Sequence, residues 1–595
     1  MKEQDILLVS GNEAVAYAAI DAGVKFFSHY PGSPVNTVET ALKKLVKTQE
    51  TEMVFNDAQN EHIAALSAMG ASFAKAKSML VMKHVGLNIA ADPLVYSGYS
   101  GVRGGMVVVV GTDPGANSST GEQDVHWYAK AFNFPLFEPT NVKAIYQQIL
   151  DAYQLSTTYE IPVFVFIPVE LAHTVASLSR INSQEEAKEF YFKKDRKRYI
   201  NVGQKAVANH RLLLEKVKQI STEKQVGHIY FNTSAKTGII TRGLAFGYVM
   251  ETIAKLGIQK EVALYQIDRV FPINQSTVVE FAASKKELIF VEDQDGFLET
   301  MVKQECFNDL NCKIHGKDIF PAYGALNRVL ITRYFAEKFD KKLAPTGANF
   351  EVEERLGTFC EGCPHTASYY AIFDALQGVD YVLGGDIGCS SLPPFKADWL
   401  LCMNAGIGIS QGIAMVSDQL VVSTGGDGSF FHGGLLSLQS AVENQVNMIH
   451  IVFDNQYVAM TGHQYSPSLG SNFKIKPFLE AIGISQHYIV DVFEKNQMRD
   501  AIKAAVQQKG VRIIWARGAC ALVTNAQRGN APFQYTIEID NNQCGTCNLC
   551  YEKLACPAIQ KDKNEQLFSD ENLCVRCGVC HNICPNEAIS FGLVS

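Results

Sequence analysis

The chain has 595 residues, too many for one hydrophobic core, so several domains are expected. Its 47% hydrophobic and 19% charged residues are those of an ordinary globular protein, and a net charge of −8 argues against nucleic acid as a partner. No apolar run reaches the roughly 18 residues of a membrane span, and the opening MKEQDILLVSGNEA lacks the basic and apolar regions of a signal peptide, so no membrane partner and a cytoplasmic location are expected.

Residues 1–185 alternate short β-rich runs with Ala-rich stretches: DILLVSG, then NEAVAYAAIDAG, then KFFSHYPGSP. That alternation predicts a parallel sheet flanked by helices. Residues 186–225 become charged (KKDRKRY) and read as a linker, structureless or helical. A second α/β unit is expected over 226–345, with VALYQIDRV and ELIFVEDQDG as strands. A third, over 346–535, holds YVLGGDIGC, LVVSTGGDGSFF and MIHIVFDNQ. The tail, 536–595, carries eight of the fifteen cysteines, in two similar runs.

The first run is Cys544, Cys547 and Cys550, followed by Cys556-Pro557; the second is Cys574, Cys577 and Cys580, followed by Cys584-Pro585. Two-residue spacing turns three thiolates toward one cluster, and the distant Cys-Pro crosses to the other in two-cluster ferredoxins. One [4Fe–4S] cluster is therefore expected on Cys544, Cys547, Cys550 and Cys584, and another on Cys574, Cys577, Cys580 and Cys556. A zinc module is the competing reading, but two triplets each followed by Cys-Pro suit tetrahedral zinc poorly. The paired clusters predict one-electron transfer.

In the third unit, Gly426-Asp427-Gly428 follows the apolar strand LVVSTG, and Asn455 comes 28 residues after Asp427, in IVFDNQY. A Gly-Asp-Gly turn at a strand end lets backbone N–H groups approach phosphate while the carboxylate binds a hard cation. Asp427, the Asn455 amide oxygen and the Tyr457 carbonyl make three oxygen ligands. That leaves octahedral Mg2+ room for two phosphate oxygens and a water.

This spacing resembles the thiamine diphosphate (ThDP) motif. Asn404-Ala-Gly-Ile407-Gly resembles the segment that places a bulky apolar residue under that cofactor, which implies a wedge role for Ile407; an ordinary packing role is the alternative. Glu61, in NEHIAALSAMGASFA, resembles the carboxylate that activates the aminopyrimidine. Here the alternative is a helix-start glutamate favoured by the macrodipole.

Together with YPGSP (30–34), MKHVGLN (82–88), EQD (122–124), CEGCPH (360–365), GDIGC (385–389) and DNQYVAMTGHQ (454–464), these residues resemble the alpha subunit of the indolepyruvate:ferredoxin oxidoreductases, a branch of the 2-oxoacid:ferredoxin oxidoreductases. The resemblance covers nearly the whole chain. It implies an α/β protein with two doubly wound ThDP-fold domains, pyrimidine-binding over 1–185 and diphosphate-binding over 346–535. Between them it implies a transketolase-C-terminal-like domain over 226–345, and after them a two-cluster ferredoxin domain over 536–595.

The resemblance further implies oxidative decarboxylation of an aryl-pyruvate with CoA to an aryl-acetyl-CoA and CO2, with electrons passed to ferredoxin. A small beta subunit would complete the enzyme, in an (alpha-beta)2 complex around a homodimer of this chain. Ser33, His84 and Asn88 become candidates for contacting the oxoacid or ThDP, and each could equally be a satisfied loop group. Cys363 and His365 become candidates for the cofactor's surroundings. Cys360, Cys363, Cys389 and Cys520 resemble the set that binds one cluster beside ThDP in simpler relatives, which implies a third [4Fe–4S] cluster; four structural cysteines are the alternative. Cys306, Cys312 and Cys402 read as ordinary buried thiols. Val458, where relatives often carry Tyr or Thr, and the unusual SSLPPFKADWL (390–400) put the substrate in doubt, so a branched or aliphatic 2-oxoacid stays open, as does a non-oxidative ThDP decarboxylase.

Overall fold

Val107–Val110 and Val163–Ile167 have no exposed surface. Unbroken apolar runs of this kind suit parallel strands covered on both faces. They form the middle of a seven-stranded sheet ordered Arg269–Phe271, Leu136–Phe137, Val163–Pro168, Met106–Thr112, Ser78–Lys83, Phe26–His29, Val54–Asp57. All its pairings are parallel except that of Arg269–Phe271. The computed structural model describes all residues but 1–5, 50, 181–189, 224–226, 344–357, 393–396, 471, 495, 530–534, 546 and 594–595. It divides into two units, Met1–Asn349 and Phe350–Ser595.

In the first unit, Ser10 and Glu13 close a capping box over the helix Gly11–Asp21. The second half of the expected linker is a packed helix, Gln204–Thr222. Leu213 and Ile220, two turns apart on one face, enter the core of the first sheet. A second sheet runs in the order Lys313–His315, Glu287–Val291, Thr237–Arg242, Val262–Ile267, Gly227–Phe231, and only the last strand is antiparallel. The two sheets are not insulated from each other. Arg269–Phe271 leaves the second region to pair with Leu136–Phe137, and Val270 and Phe271 join the first core.

Arg242 fastens the junction from the second sheet. It is fully buried, with Nε 2.8 Å from Glu292 and Nη1 against Glu138. His126 lies in the same cluster. Burial and Arg242 would strip its proton, but Asp124 and Glu138 hold it, at about 9. The EQD motif thus has a structural role here: Asp124 grips His126, and Glu122 accepts Gly115 N at 3.1 Å and Gly324 N at 2.7 Å.

The second unit is built on an all-parallel sheet ordered Tyr381–Gly384, Leu420–Gly426, Met448–Asp454, Val511–Arg517, His487–Asp491. The tail adds two antiparallel ribbons, Tyr535–Ile539 with Ile589–Leu593 and Ile559–Lys561 with Leu567–Ser569. Ile537, Ile559, Leu567 and Ile589 share one core with Val422, Ile449 and Ile514 of the sheet. Cys306 is buried and Cys312 half-buried, but Cys402 is exposed, because it sits in the loop ahead of the helix Ala405–Val416. Among the described residues no helix is long and apolar enough to cross a membrane.

Candidate active site

In open parallel sheets, ligand sites form beyond the carboxyl ends of the strands. In the second unit three such ends carry Gly385-Asp386, Asp427 and Asp454-Asn455. Asp427 opens a short helical turn and is 2% exposed. It accepts a hydrogen bond from Ser468 Oγ at 2.8 Å. Burial, with Asp454 beside it, pushes its carboxyl up to about 7. A carboxyl in that state gains from a cation at the same spot. In front of Gly426 a Cβ would meet nothing within 4 Å, so the backbone there is open to a phosphate.

Asn455 is buried, and Tyr457 N donates to its Oδ1 at 3.0 Å. At Gly428 a Cβ would come 3.4 Å from Val458, so the GDG turn and the 455–458 loop are in contact range. Asp427, Asn455 and Tyr457 are therefore brought to one edge, and hard oxygen donors beside an open backbone fit Mg2+ and a diphosphate. His365 stacks on Phe453, with ring centroids 5.2 Å apart, and its Nε2 lies 3.5 Å from the Asn455 amide. Burial pulls its pKa down to about 4, so the imidazole is neutral near pH 7. Ile407 is 1% exposed and packs with Val421, Ala441, Val446 and Met448.

The sequence reading missed Asp386. It is buried and gathers Ile387 N at 2.8 Å, Asn404 N at 2.9 Å and Ser429 Oγ at 2.8 Å, and burial raises it to about 6. It therefore ties the turn after Asp427 to the segment before Ile407. The signal was present, since Gly385-Asp386 repeats the strand–Gly–Asp pattern of Gly426-Asp427. Ser466 and Ser468, also missed, carry no motif.

Cys360, Cys363, Cys389 and Cys520 converge from four chain positions. Cys360 and Cys363 precede the helix Pro364–Ala375, Cys389 follows the Asp386 turn, and Cys520 precedes the helix Ala521–Arg528. Burial, then Cys520, Cys360 and Asp427, raise Cys389 to about 11. Burial, with Cys389 and Cys360 adding, raises Cys363 to about 12. Cys360, Cys363 and Cys389 resist ionising, and buried thiols of that kind suit a cationic centre.

In the tail, one small cavity is lined by Cys556, Cys574, Cys577 and Cys580. Another is lined by Cys544, Cys547, Cys550 and Cys584. Each holds one triplet plus the Cys-Pro of the other run. Burial and the neighbouring thiols raise Cys577 and Cys550 to about 11. Bonds of about 2.3 Å would hold zinc thiolates about 3.8 Å apart. Among the described residues, no three cysteines bring their sulfurs within 4.8 Å of one another, which a larger cubane accommodates better. The first cavity is also lined by Glu361 and Gly362, between Cys360 and Cys363, so the tail reaches the third cysteine set.

In the first unit, Glu61 begins the helix Glu61–Phe73, capped by Asn60, and is 6% exposed. Gly86 lies against it: a Cβ there would fall 2.2 Å from Glu61 Oε1. His84 is buried, its Nε2 3.3 Å from Gly121 O, and burial lowers its pKa. Asn88 exchanges hydrogen bonds of 3.0 Å with Gln123 and accepts one from Tyr128 OH at 2.6 Å, so its amide already has partners. Ser33 is half-buried in the turn after Phe26–His29. Its neighbour Gly32 packs on Lys83, bringing this turn beside the strand end that leads into His84 and Gly86.

Four family descriptions match the chain in order. Residues 17–237 match pyruvate flavodoxin/ferredoxin oxidoreductase, thiamine diP-binding. Residues 228–357 match the indolepyruvate oxidoreductase domain, 386–516 the C-terminal TPP-binding domain of thiamine pyrophosphate enzymes, and 568–590 the 4Fe-4S binding domain. Indolepyruvate oxidoreductase subunit IorA of Methanothermobacter thermautotrophicus is 31% identical over 99% of this chain and 98% of its own. That of Archaeoglobus fulgidus is 30% identical over 99% and 98%. The 2-oxoglutarate synthase subunit KorA of Archaeoglobus fulgidus is 26% identical over 29% of this chain and 51% of its own. The chain belongs to the indolepyruvate oxidoreductase subunit IorA family, and is a ThDP-binding, iron–sulfur oxidoreductase of the 2-oxoacid:ferredoxin type.

Proposed function

We propose that this chain oxidatively decarboxylates an aryl 2-oxoacid of the indolepyruvate type with CoA, yielding an aryl-acetyl-CoA and CO2, and passes the electrons to ferredoxin. The observation that carries the reading is the joining, in one unit, of the Asp427–Asn455–Tyr457 edge to three cysteine sets. A decarboxylase that released an aldehyde would have no use for them. ThDP supplies a carbon nucleophile and an electron sink for decarboxylation. In this reading Asp427, Asn455 and the Tyr457 carbonyl would hold Mg2+ and with it the diphosphate. Glu61 would hold the proton at the aminopyrimidine, and Gly86, lacking a Cβ, leaves that carboxylate its room. His84 and Ser33 border the oxoacid, while His365 and Cys363 border the diphosphate side. Ile407 supports the cofactor from the core.

The tail would hold two [4Fe–4S] clusters on the assigned cysteines, and Cys360, Cys363, Cys389 and Cys520 would hold a third. Burial of Cys389 near Asp427 supports an electron acceptor close to the coenzyme. The working enzyme is an (alpha-beta)2 complex with a small beta subunit.

The competing reading is the same chemistry on a branched or aliphatic 2-oxoacid. Relatives named for 2-oxoglutarate and ketoisovalerate align over only 29% and 27% of this chain, which favours the aryl substrate. The test is viologen reduction by the anaerobically purified complex, with CoA, across aryl, branched and short 2-oxoacids. Aryl substrates are expected to give the highest kcat/KM. Inactivity on all of them would refute the assignment.

A further inference from the structure

We propose that Lys83 is the cation that receives the carboxylate of the 2-oxoacid, a reading that rests on the function proposed above. Lys83 ends the strand Ser78–Lys83, so it stands at the carboxyl edge where a parallel sheet binds ligands. Three chain segments of the candidate site meet around it. Its Cβ packs against Gly32, in the turn that carries Ser33. The next residue is the buried His84, and three residues on is Gly86, against which the Glu61 carboxylate rests.

The ammonium of Lys83 is under-used. An ammonium has three donors and prefers an anion when partly buried. Lys83 Nζ donates one hydrogen bond, to Ser118 O at 2.5 Å, and among the described residues no carboxylate lies within 4 Å of it. The nearby carboxylate, Asp113, is taken up by its own loop. It accepts Asn117 N at 3.2 Å, Ser118 N at 2.8 Å, Ser118 Oγ at 3.2 Å and Ser119 Oγ at 2.5 Å. Burial lowers the Lys83 pKa, and the charge of Asp113 does not restore it.

Neighbouring cations in the same unit are treated differently. Lys43 pairs with Glu39 and Asp57, and Arg242 with Glu138 and Glu292. Lys83 is held in place by a neutral carbonyl, with donors left over, on the edge that carries Ser33, His84 and Glu61. A monoanionic 2-oxoacid supplies the missing charge. Its aryl group carries none, so the carboxylate is the part an ammonium can recognise. The competing role is a strap, in which the Ser118 contact only anchors the 113–121 loop.

The two roles separate experimentally. In the anaerobically purified complex, Lys83→Met is expected to raise the KM for indolepyruvate about 10- to 100-fold, as for loss of a charge-assisted hydrogen bond. Lys83→Arg should restore most of it. The KM for CoA, and hydrogen–deuterium exchange at the coenzyme's thiazolium C2 without substrate, report on the rest of the site and should be retained. In the wild-type complex, indole-3-propionate should compete with indolepyruvate and its amide should not, a comparison that does not depend on any variant folding. An unchanged indolepyruvate KM in Lys83→Met, or equal competition by acid and amide, overturns the proposal. So does a loss of C2 exchange and CoA affinity together with the oxoacid KM, which would mark a strap. A wild-type complex with neither C2 exchange nor turnover would sink the proposed function itself.

Discussion

Replacing Asp427 by Asn should make the metal-free protein more stable while abolishing coenzyme binding. Burial and Asp454 raise the Asp427 carboxyl from 3.8 to about 7. At 1.36 kcal/mol per pKa unit, ionising it in the metal-free fold costs about 4 kcal/mol. The sign follows from linkage. A raised carboxyl pKa favours the protonated fold, so stability is full below about pH 4, falls between about 4 and 7, and levels off above. Asn keeps the shape without the charge. Its advantage should therefore approach about 4 kcal/mol at pH 8 and shrink to about 2 kcal/mol at pH 5. In scanning calorimetry of EDTA-treated protein this is about 10 °C in the midpoint of the second unit at pH 8. Mg2+ with ThDP should then raise the wild-type midpoint and leave the Asn variant where it was. A variant no more stable than wild type at pH 8, or one stabilised equally by Mg2+-ThDP, would refute the reasoning.

Glu61→Gln should lower kcat for viologen reduction about 10²- to 10⁴-fold. Gly86→Ala should lower it comparably, because its Cβ would fall 2.2 Å from the Glu61 carboxylate. Cys577→Ser and Cys547→Ser should each remove about four irons per chain, measured by iron analysis, because they line different cavities. Cys389→Ala should lower the count from about twelve to about eight, and an unchanged count would exclude the third cluster. Arg242→Met should destabilise the first unit by about 3–5 kcal/mol in urea unfolding, since Glu138 and Glu292 would stay buried without their cation.

The sequence alone made legible the features that live in short spacings. Cys-x-x-Cys runs, GDG followed by DNQ, and valine runs such as 107–110 are local statements. Their physics is the reach of a loop, the geometry of a turn or the burial of a strand. Such features can be read without knowledge of the rest of the chain, because each depends only on residues close in sequence.

What only the tertiary structure decided are relations between residues far apart in the chain. Asp386 meets Asn404 and Ser429, Gly86 makes room for Glu61, and Lys83 sits against the YPGSP turn. Arg269–Phe271 crosses into a sheet begun more than 200 residues earlier, and the helix Gln204–Thr222 buries Leu213 and Ile220 in the core of that sheet. The physical reason is the same in each case. A buried charge or a close backbone approach is defined by what surrounds it, and those surroundings are assembled by parallel crossovers that bring separate strand ends to one edge.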